Sequence, residues 1–307
     1  MRASRASPYE PMLLAFVTSA LAVLAPSGPT DSQPATHQPS GCPAPALMVQ
    51  EAGSRATVSG GEPTTQRGGR GGATARTEAD GTEAVRITAD DKVVLAASYW
   101  APTARGERAP GVLLLHDAGG SRADFGEMAE LLRKRGFAVL SMDLRGHGES
   151  ANERLDFAKS TDDEKKTLWA LATRDVQAAA TWLRTRPEVH STNLNVIALG
   201  AGAGLAARQA GRDENVRSIV LLRPCADQLG LDLSADLRAL EGLPTYIAAP
   251  SDVREKLSAL LGPLETNEAV RINYVREPKG ELLDERRLRT GIVDWVGEQA
   301  LPKRGRS

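Results

Sequence analysis

Residues 194–210, LNVIALGAGAGLAARQA, contain the pattern that decides the fold. The first six residues are mostly apolar, which is typical of a short buried strand, and the last residues are small and form a helical period. Glycines at positions 200, 202 and 204 stand between these two parts. A strand, a glycine turn and a helix in direct succession indicate one half of a parallel β-α-β unit.

The same alternation extends to both sides of this stretch. Expected strands are 85–88, 93–99, 112–115, 138–142, 194–199, 219–222, 246–249 and 272–275. A turn-like break between the first two predicts an antiparallel hairpin. Expected helices start after a Ser121 cap and end at Gly136, cover 163–184, and carry Leu288, Ile292 and Trp295 near the C-terminus. We therefore expect one α/β domain over residues 81–302, a doubly wound, mostly parallel sheet of about eight strands with helices on both faces.

Two segments precede the expected domain. Residues 1–25 carry Arg2 and Arg5 and then an apolar run to Leu24, the layout of a secretory signal peptide. The run is shorter than the roughly 20 residues that cross a bilayer, so no stable membrane span is expected after cleavage. Residues 26–80 are rich in Pro, Gly, Ser and Thr and predict a disordered linker. We expect a secreted or periplasmic protein without a lipid anchor at Cys42.

Composition excludes several classes of function. The chain has 38 basic and 39 acidic residues, so no basic field for nucleic acid is indicated. The two cysteines, Cys42 and Cys225, lack a neighbouring C-x-x-C pair or histidine cluster, so we expect no metal site. Cys225 is expected to be a buried thiol. The glycines at 200–204 do not fit a dinucleotide fingerprint because Leu205 stands where the third glycine belongs, and we expect no cofactor.

Three motifs resemble segments of the α/β-hydrolase family. LHDAGG at 115–120 resembles the H-G-x-G turn, DLRGHGES at 143–150 resembles D-x-R-G-H-G-x-S, and GAGAG at 200–204 resembles the nucleophile elbow G-x-S-x-G. Over about residues 85–300 the chain is similar to small uncapped esterases, dienelactone hydrolases and serine-aminopeptidase-like proteins. The resemblance implies an ancestor that hydrolysed esters or other acyl compounds.

The resemblance also implies positions for a nucleophile and an oxyanion hole. It puts Gly202 in the nucleophile position, where glycine keeps a turn of positive φ viable without a nucleophile. It puts Asp117, Ala118 and Ala203 at the oxyanion hole. Asp117 replaces a glycine of the family, and its charge opposes a forming oxyanion. An ordinary strand-to-helix turn with His116 as a buried, hydrogen-bonded residue is the alternative.

The other two members of the triad follow from the same resemblance. Asp252 comes after the expected strand 246–249 and fits the acid position, although aspartate is equally suited to cap a helix over 253–261. Lys279 stands in the histidine position, and no histidine lies beyond His190. A lysine near its reference pKa is protonated at neutral pH and cannot deprotonate a serine. Nucleophile and base are therefore both missing from their expected positions.

The loop at 143–150 is expected to be structural. Asp143, Arg145 and Ser150 can make the side-chain hydrogen bonds that fix a tight glycine turn. His147 belongs to this loop, and we do not expect it to be a catalytic base.

Two hypotheses follow from these observations. The first is an exported, catalytically degenerate α/β-hydrolase that binds a small acyl-type ligand or a protein partner at the former active-site mouth. The alternative is an active hydrolase on ester or acyl substrates with chemistry relocated to Asp117, Asp252, Lys279 or Glu281. Two titratable groups within hydrogen-bond reach in a closed pocket would favour the alternative.

Overall fold

The computed structural model describes residues 76–77, 82–103, 107–225, 229–240, 242–276 and 281–301. These residues belong to one compact unit, Ser40–Ser307. The predicted signal peptide, residues 1–25, and the predicted linker up to residue 75 lie outside the described residues.

A single mixed sheet forms the centre of this unit. Its described strands are β1 (Arg76–Thr77), β2 (Thr82–Thr88), β3 (Val94–Trp100), β4 (Ala109–Leu115), β5 (Ala138–Met142), β6 (Val189–Leu199), β7 (Val216–Leu222), β8 (Thr245–Pro250) and β9 (Val270–Val275). Their spatial order is β1-β2-β3-β5-β4-β6-β7-β8-β9. The pairs β1–β2, β2–β3 and β3–β5 are antiparallel, and every pair from β5 onward to β9 is parallel.

Six α-helices lie within the described residues. They are α1 (Gly126–Arg135), α2 (Asp162–Thr185), α3 (Gly202–Ala210), α4 (Leu233–Arg238), α5 (Arg254–Leu261) and α6 (Arg286–Ala300). Helices α1 and α6 pack on one face of the sheet, and α2, α3, α4 and α5 pack on the other. None of the described helices is long and apolar enough to cross a membrane.

Burial on both faces explains the apolar strands. In β4, Leu113 and Leu115 pack in the core on the α2 side, whereas Val112 and Leu114 pack in the core on the α1 side. Successive side chains of a strand point to opposite faces, so a strand covered on both sides is apolar throughout. The continuous apolar runs in the sequence therefore mark central strands.

The structure confirms the predicted α/β-hydrolase architecture and changes some of its details. The sheet has nine strands because β1, within the segment predicted to be linker, pairs with β2. Ser121 caps a 3-10 turn, Arg122–Phe125, and the first α-helix follows that turn instead of starting at the cap. Helix α4 was not predicted from the sequence; its six residues are too few for a clear helical period.

The carboxyl ends of the parallel strands meet along one edge of the sheet. There β4 leads to His116, β5 leads to Asp143, β6 leads to Gly200, and β7 leads to Arg223. In open α/β sheets, ligands bind outside this edge. The motifs singled out in the sequence are thus brought to one place by the parallel topology.

Candidate functional site

The turn between β6 and α3 centres on Gly200. This residue has a φ of 55°, and its amide donates to Leu222 O at 2.8 Å, which continues the bonding between the two strands. Gly202, predicted to hold the positive φ, is the first residue of α3 and has no positive φ. The G-x-S-x-G spacing is complete only when it is centred on Gly202, because residue 198 is alanine. The sequence prediction therefore placed the turn two residues too late.

Gly202 has a different structural requirement. A Cβ atom there would lie 2.7 Å from His116 O and 3.1 Å from Leu115 O, both backbone atoms at the end of β4. Helix α3 therefore starts so close to β4 that only glycine fits at position 202. Its glycine is required for close packing and not for the turn.

The carboxylate of Asp117 fills the space beside Gly200. A Cβ atom at position 200 would lie 2.0 Å from Asp117 Cγ and Oδ2 and 2.2 Å from Oδ1. These separations are far below the roughly 3.5–4.0 Å of an ordinary contact. A side chain at position 200 and the observed conformation of Asp117 exclude each other.

Two backbone amides converge on this carboxylate. Asp117 Oδ1 accepts from Ala118 N at 2.7 Å and from Ala201 N at 2.7 Å. Ala201 immediately precedes α3, where the helix dipole also favours a negative charge. Ala203, which the sequence placed at the oxyanion hole, donates its amide to Gly200 O at 3.2 Å instead, because it already belongs to the first helical turn. Asp117 therefore lies beside the two amides, and its carboxylate is the acceptor for both of them.

Arg223 completes the surroundings of Asp117. Its Nη2 lies 3.3 Å from Asp117 Oδ2, and its Nη1 lies 3.6 Å from Glu281 Oε2. Arg223 has a φ of 50°, a conformation that costs a non-glycine residue about 1–3 kcal/mol. Its Nε atom is buried and has no hydrogen-bond partner among the described residues. Arg223 was not predicted as a site residue from the sequence, although its place directly after a predicted strand at the binding edge was a usable signal.

His116 is held in one neutral tautomer. Its Nε2 accepts from Leu144 N at 3.0 Å, so Nδ1 carries the proton and donates to Asp117 O at 2.6 Å. The ring is fully buried, and this burial lowers the pKa of His116. Both ring nitrogens are therefore in use.

His147 is fixed in the same way. Its Nε2 accepts from Gly119 N at 3.1 Å, and Nδ1 donates to Arg145 O at 2.9 Å. Burial, with a smaller effect from His116, lowers the pKa of His147 to about 4. The two rings lie 4.8 Å apart between centroids. Both histidines are uncharged at neutral pH and tie the loops after β4 and β5 together.

The loop at 143–150 is organised by its side chains. Asp143 is buried, and its carboxylate accepts from the guanidinium of Arg122 and from Glu149 N. Ser150 Oγ donates to Asp143 O at 2.7 Å and accepts from Ala96 N at 2.9 Å. A Cβ atom at Gly148 would lie 2.4 Å from the Asp143 carboxylate, and its φ is 46°. The tight turn thus depends on glycine at this position.

Arg145 is a buried cation with two carboxylate partners. It lies 2.6 Å from Asp175 Oδ1 and 2.8 Å from Asp91 Oδ2. Only 2% of its side chain is exposed, and none of the side chain of Asp175 is. This group joins the loop after β5 to α2 and to the hairpin between β2 and β3.

The remaining predicted site residues do not join this cluster. Asp252 is exposed in a 3-10 turn, Ser251–Val253, and forms no hydrogen bond or ion pair with the described residues. It does not cap α5 either, because the N-cap of that helix is Val253. Lys279 lies outside the described residues. Cys225 is in a disulfide bond, which corrects the prediction of a buried thiol. Within the described chain, no three His, Cys, Asp or Glu side chains are grouped as metal ligands.

Comparison with known families agrees with this geometry. Residues 112–303 match the model of the alpha/beta hydrolase family. The chain belongs to the α/β-hydrolase family. Its sequence matches no curated protein.

Solved α/β-hydrolase structures superpose on most of the chain. A dienelactone hydrolase from Anabaena variabilis is 20% identical with a TM-score of 0.56, covering 71% of this chain and 95% of that one. An esterase from Pyrococcus furiosus is 18% identical with a TM-score of 0.52, covering 71% and 91%. A hypothetical protein from Pseudomonas aeruginosa is 14% identical with a TM-score of 0.58, covering 73% and 95%. At these identities the similarity establishes the fold.

The carboxylate of Asp117 occupies the space between the loop after β4 and the start of α3. Two amides, a helix N-terminus and one guanidinium surround the carboxylate of Asp117. Converging backbone amides stabilise the oxyanion in the acyl-transfer reactions of serine hydrolases.

Proposed function

We propose that the protein is an exported, catalytically inactive α/β-hydrolase that binds a small acyl-type ligand or a protein partner at the former active-site mouth. The observation that carries the proposal is the carboxylate of Asp117, which occupies both the space of a nucleophilic side chain and the anion-binding amides. The mouth is the sheet edge formed by the loops after β4, β5, β6 and β7.

The first support is the position of the nucleophile. In this family the nucleophile sits on a strained strand-to-helix turn, and the residue after it supplies one amide of the oxyanion hole. Gly200 has the positive φ, and Ala201 supplies an amide that converges with the amide of Ala118 from the loop after β4. We therefore assign the nucleophile position to Gly200, which has no side chain that can attack a substrate.

The second support is the charge in the hole. A substrate oxyanion would have to share the amides of Ala118 and Ala201 with the Asp117 carboxylate. Two negative charges at hydrogen-bond distance repel strongly in a partly desolvated site, and only 14% of the Asp117 side chain is exposed. Transition-state stabilisation of the usual kind is thereby blocked.

The third support is the missing base. General base catalysis requires a ring nitrogen or carboxylate that is free to accept a proton within reach of the nucleophile. His116 and His147 use both ring nitrogens in hydrogen bonds to backbone groups. His190 is exposed at the start of β6, at the opposite edge of the sheet. No histidine follows it in the sequence, and Lys279 stands at the expected position.

Export is supported by two observations. The N-terminal 25 residues have the charge and apolar pattern of a signal peptide. Cys225 forms a disulfide, and disulfides persist mainly in oxidising compartments such as the periplasm or the extracellular space.

The catalytic part of the proposal is tested with an ester and a covalent probe. Purified protein is incubated with p-nitrophenyl acetate and, separately, with a fluorophosphonate, and an active serine esterase serves as the positive control. We expect no saturable turnover and no labelling for the wild type or for Gly200→Ser, since no base is present to activate the new serine. Saturable turnover by the wild type that disappears in Asp117→Asn would overturn the proposal.

The binding part is tested by thermal shift against short-chain carboxylic acids and their esters. Binding to the native state raises the melting temperature, and the shift grows with the logarithm of the ligand concentration above the dissociation constant. We expect at least one compound to raise it, and we expect Arg223→Gln to reduce that shift because Arg223 lies at the mouth. An unchanged melting temperature across the series would refute the choice of an acyl-type ligand.

The alternative function, a hydrolase with relocated residues, has one observation in its favour. Asp117, Arg223 and Glu281 form a chain of charged groups with separations of 3.3 Å and 3.6 Å. In that reading the Asp117 carboxylate would itself attack the substrate. However, arginine stays protonated in proteins and cannot act as a base, and the oxygens of Asp117 already accept three hydrogen bonds. An acyl adduct on Asp117, found by peptide mass spectrometry after incubation with p-nitrophenyl acetate, would favour this alternative.

A further inference from the structure

A polar cavity lies between α2 and α3, apart from the mouth. Its volume is about 180 Å³, which is more than ten times the 10–15 Å³ that one water requires. Helix α2 lines it with Gln177, Thr181 and Arg184, and Arg208 and Arg212 line it from α3 and the turn that follows. These residues are three or four positions apart on each segment and so share one face. The cavity therefore lies between a polar face of α2 and a polar face of α3 with its following turn.

The negative charge in this cavity is already compensated. Asp213 is the acidic residue among those that line it. Its Oδ1 accepts from Arg184 Nη1 at 2.9 Å and from Asn215 Nδ2 at 2.8 Å, and its Oδ2 accepts from Gln209 Nε2 at 3.2 Å. The carboxylate is buried under these donors and leaves little charge to face the cavity.

Positive charge remains in excess. Arg208 pairs with Asp236 of α4 at 3.1 Å, which engages one side of its guanidinium. Arg212 is exposed and forms no side-chain hydrogen bond or ion pair with the described residues. Because Arg184 pairs with Asp213 and Arg208 pairs with Asp236, the excess positive charge at the cavity is the charge of Arg212. Guanidinium groups of this kind bind carboxylates and phosphates through paired hydrogen bonds.

We propose that this cavity is a binding site for a small oxyanion, the phosphate or carboxylate group of a metabolite. Arg212 supplies the unpaired charge. Arg184 Nη2, Arg208 Nη1 and the amide of Gln177 supply further donors. Helix α3 runs from Gly202 at the mouth to Ala210, so Arg208 lies near its far end and Arg212 follows it. The site is therefore separate from the proposed function at the mouth, and either can fail without the other.

Isothermal titration calorimetry of the full chain with inorganic phosphate and, separately, with citrate tests the site at low ionic strength. We expect one equivalent of at least one anion to bind, and the two titrations distinguish a phosphate from a polycarboxylate ligand. Arg212→Ala removes charge-assisted hydrogen bonds to the anion, so the affinity falls about tenfold or more. Arg287→Ala, an exposed arginine of α6 on the other face of the sheet, is the matched control and binds like the wild type.

A second variant uses an isosteric change. Gln177→Glu places a carboxylate in the cavity without altering side-chain size, and we expect it to weaken anion binding at least as much as Arg212→Ala. Gln299→Glu, an exposed position of α6, is its control and leaves binding unchanged. Absence of binding by both anions to the wild type, equal affinity of the wild type and Arg212→Ala, or equal losses in the two control variants would each overturn the proposal.

Discussion

Replacing Gly200 with alanine tests whether a side chain at this position and the carboxylate of Asp117 exclude each other. The new Cβ atom would lie 2.0 Å from Asp117 Cγ and Oδ2. Neither atom can remain there, and the backbone of the turn is fixed by the bond from Gly200 N to Leu222 O. Asp117 must therefore rotate away and give up its hydrogen bonds to Ala118, Ala201 and Arg223.

The cost of this change has two parts. A non-glycine residue in the left-handed region at φ 55° costs about 1–2 kcal/mol. Loss of the hydrogen bonds to the charged carboxylate costs roughly 2–3 kcal/mol after water has replaced some of them, given about 1.5–3 kcal/mol for each such bond. Gly200→Ala should therefore lower the free energy of unfolding by about 3–5 kcal/mol.

A double-mutant cycle with Asp117→Gly separates the clash from the strain. Asp117→Gly alone loses the same hydrogen bonds and should cost roughly 2–3 kcal/mol. The double variant has the same backbone strain at position 200 as Gly200→Ala. Both single variants lose the same hydrogen bonds of Asp117, so the double variant has no further bonds to lose and should be no less stable than Gly200→Ala alone. The coupling free energy, measured by urea unfolding of all four proteins, is then about 2–3 kcal/mol.

Gly202→Ala provides the control for this cycle. Its Cβ atom would clash with His116 O, a backbone atom that remains when Asp117 is replaced. The free-energy changes of Gly202→Ala and Asp117→Gly should therefore add to within about 0.5 kcal/mol. Additive effects of Gly200→Ala and Asp117→Gly, or strong coupling of Asp117 to position 202, would show that the turn has been assigned to the wrong glycine.

Three further predictions concern stability. The pKa of His147 is about 4 in the folded chain and is taken as 6.5 in the unfolded chain. Between these pH values the unfolded chain binds more protons, so the free energy of unfolding falls by about 2 kcal/mol from pH 7 to pH 5. Equal urea midpoints at both pH values would contradict a buried neutral ring. Asp175→Ala leaves Arg145 buried with one partner fewer and should lower the free energy of unfolding in urea by about 3–5 kcal/mol. The control Asp162→Ala, at an exposed position, should lower it by less than about 0.5 kcal/mol. Similar losses in the two variants would refute the role of the buried pair. Cys225 of the denatured protein should resist alkylation by iodoacetamide without reductant, as read by peptide mass spectrometry, and Cys225→Ser should lose about 2–4 kcal/mol; alkylation of Cys225 without reductant would exclude its disulfide.

The sequence was sufficient to predict the architecture but not the limits of the strands. The expected strand 194–199 is the C-terminal part of β6, which starts at Val189. Residues 190–192 are exposed and polar and carry no hydrophobic pattern, and they extend the strand because Val189 pairs with Ala109 of β4. Pairing between distant segments decides such limits, and a local pattern contains no information about it.

The candidate site could be predicted in its location but not in its arrangement. Parallel topology brings the loops after β4, β5, β6 and β7 together, so the motifs were correctly expected at one edge. The motif spacing indicated Gly202, but the turn is at Gly200. Both glycines are required, one for its φ of 55° and one for contact with β4. The sequence could not show that Asp117 turns its carboxylate toward two amides, because this depends on distances between segments that are 84 residues apart.

The sequence presents the glycine at the nucleophile turn and the absence of a late histidine as two independent losses. Asp117 adds a third change that is not independent of the first, because its carboxylate and a Cβ atom at position 200 need the same space. A serine at 200 is compatible with this backbone only when residue 117 has no side chain in that space, which is what the glycine of the family's H-G-x-G motif provides. Restoring serine alone would therefore produce a strained loop and not a nucleophile. Under the proposed function, we expect acyl chemistry only when glycine at 117, serine at 200 and a histidine after β9 are introduced together, and any two of these changes without the third should leave the protein inactive.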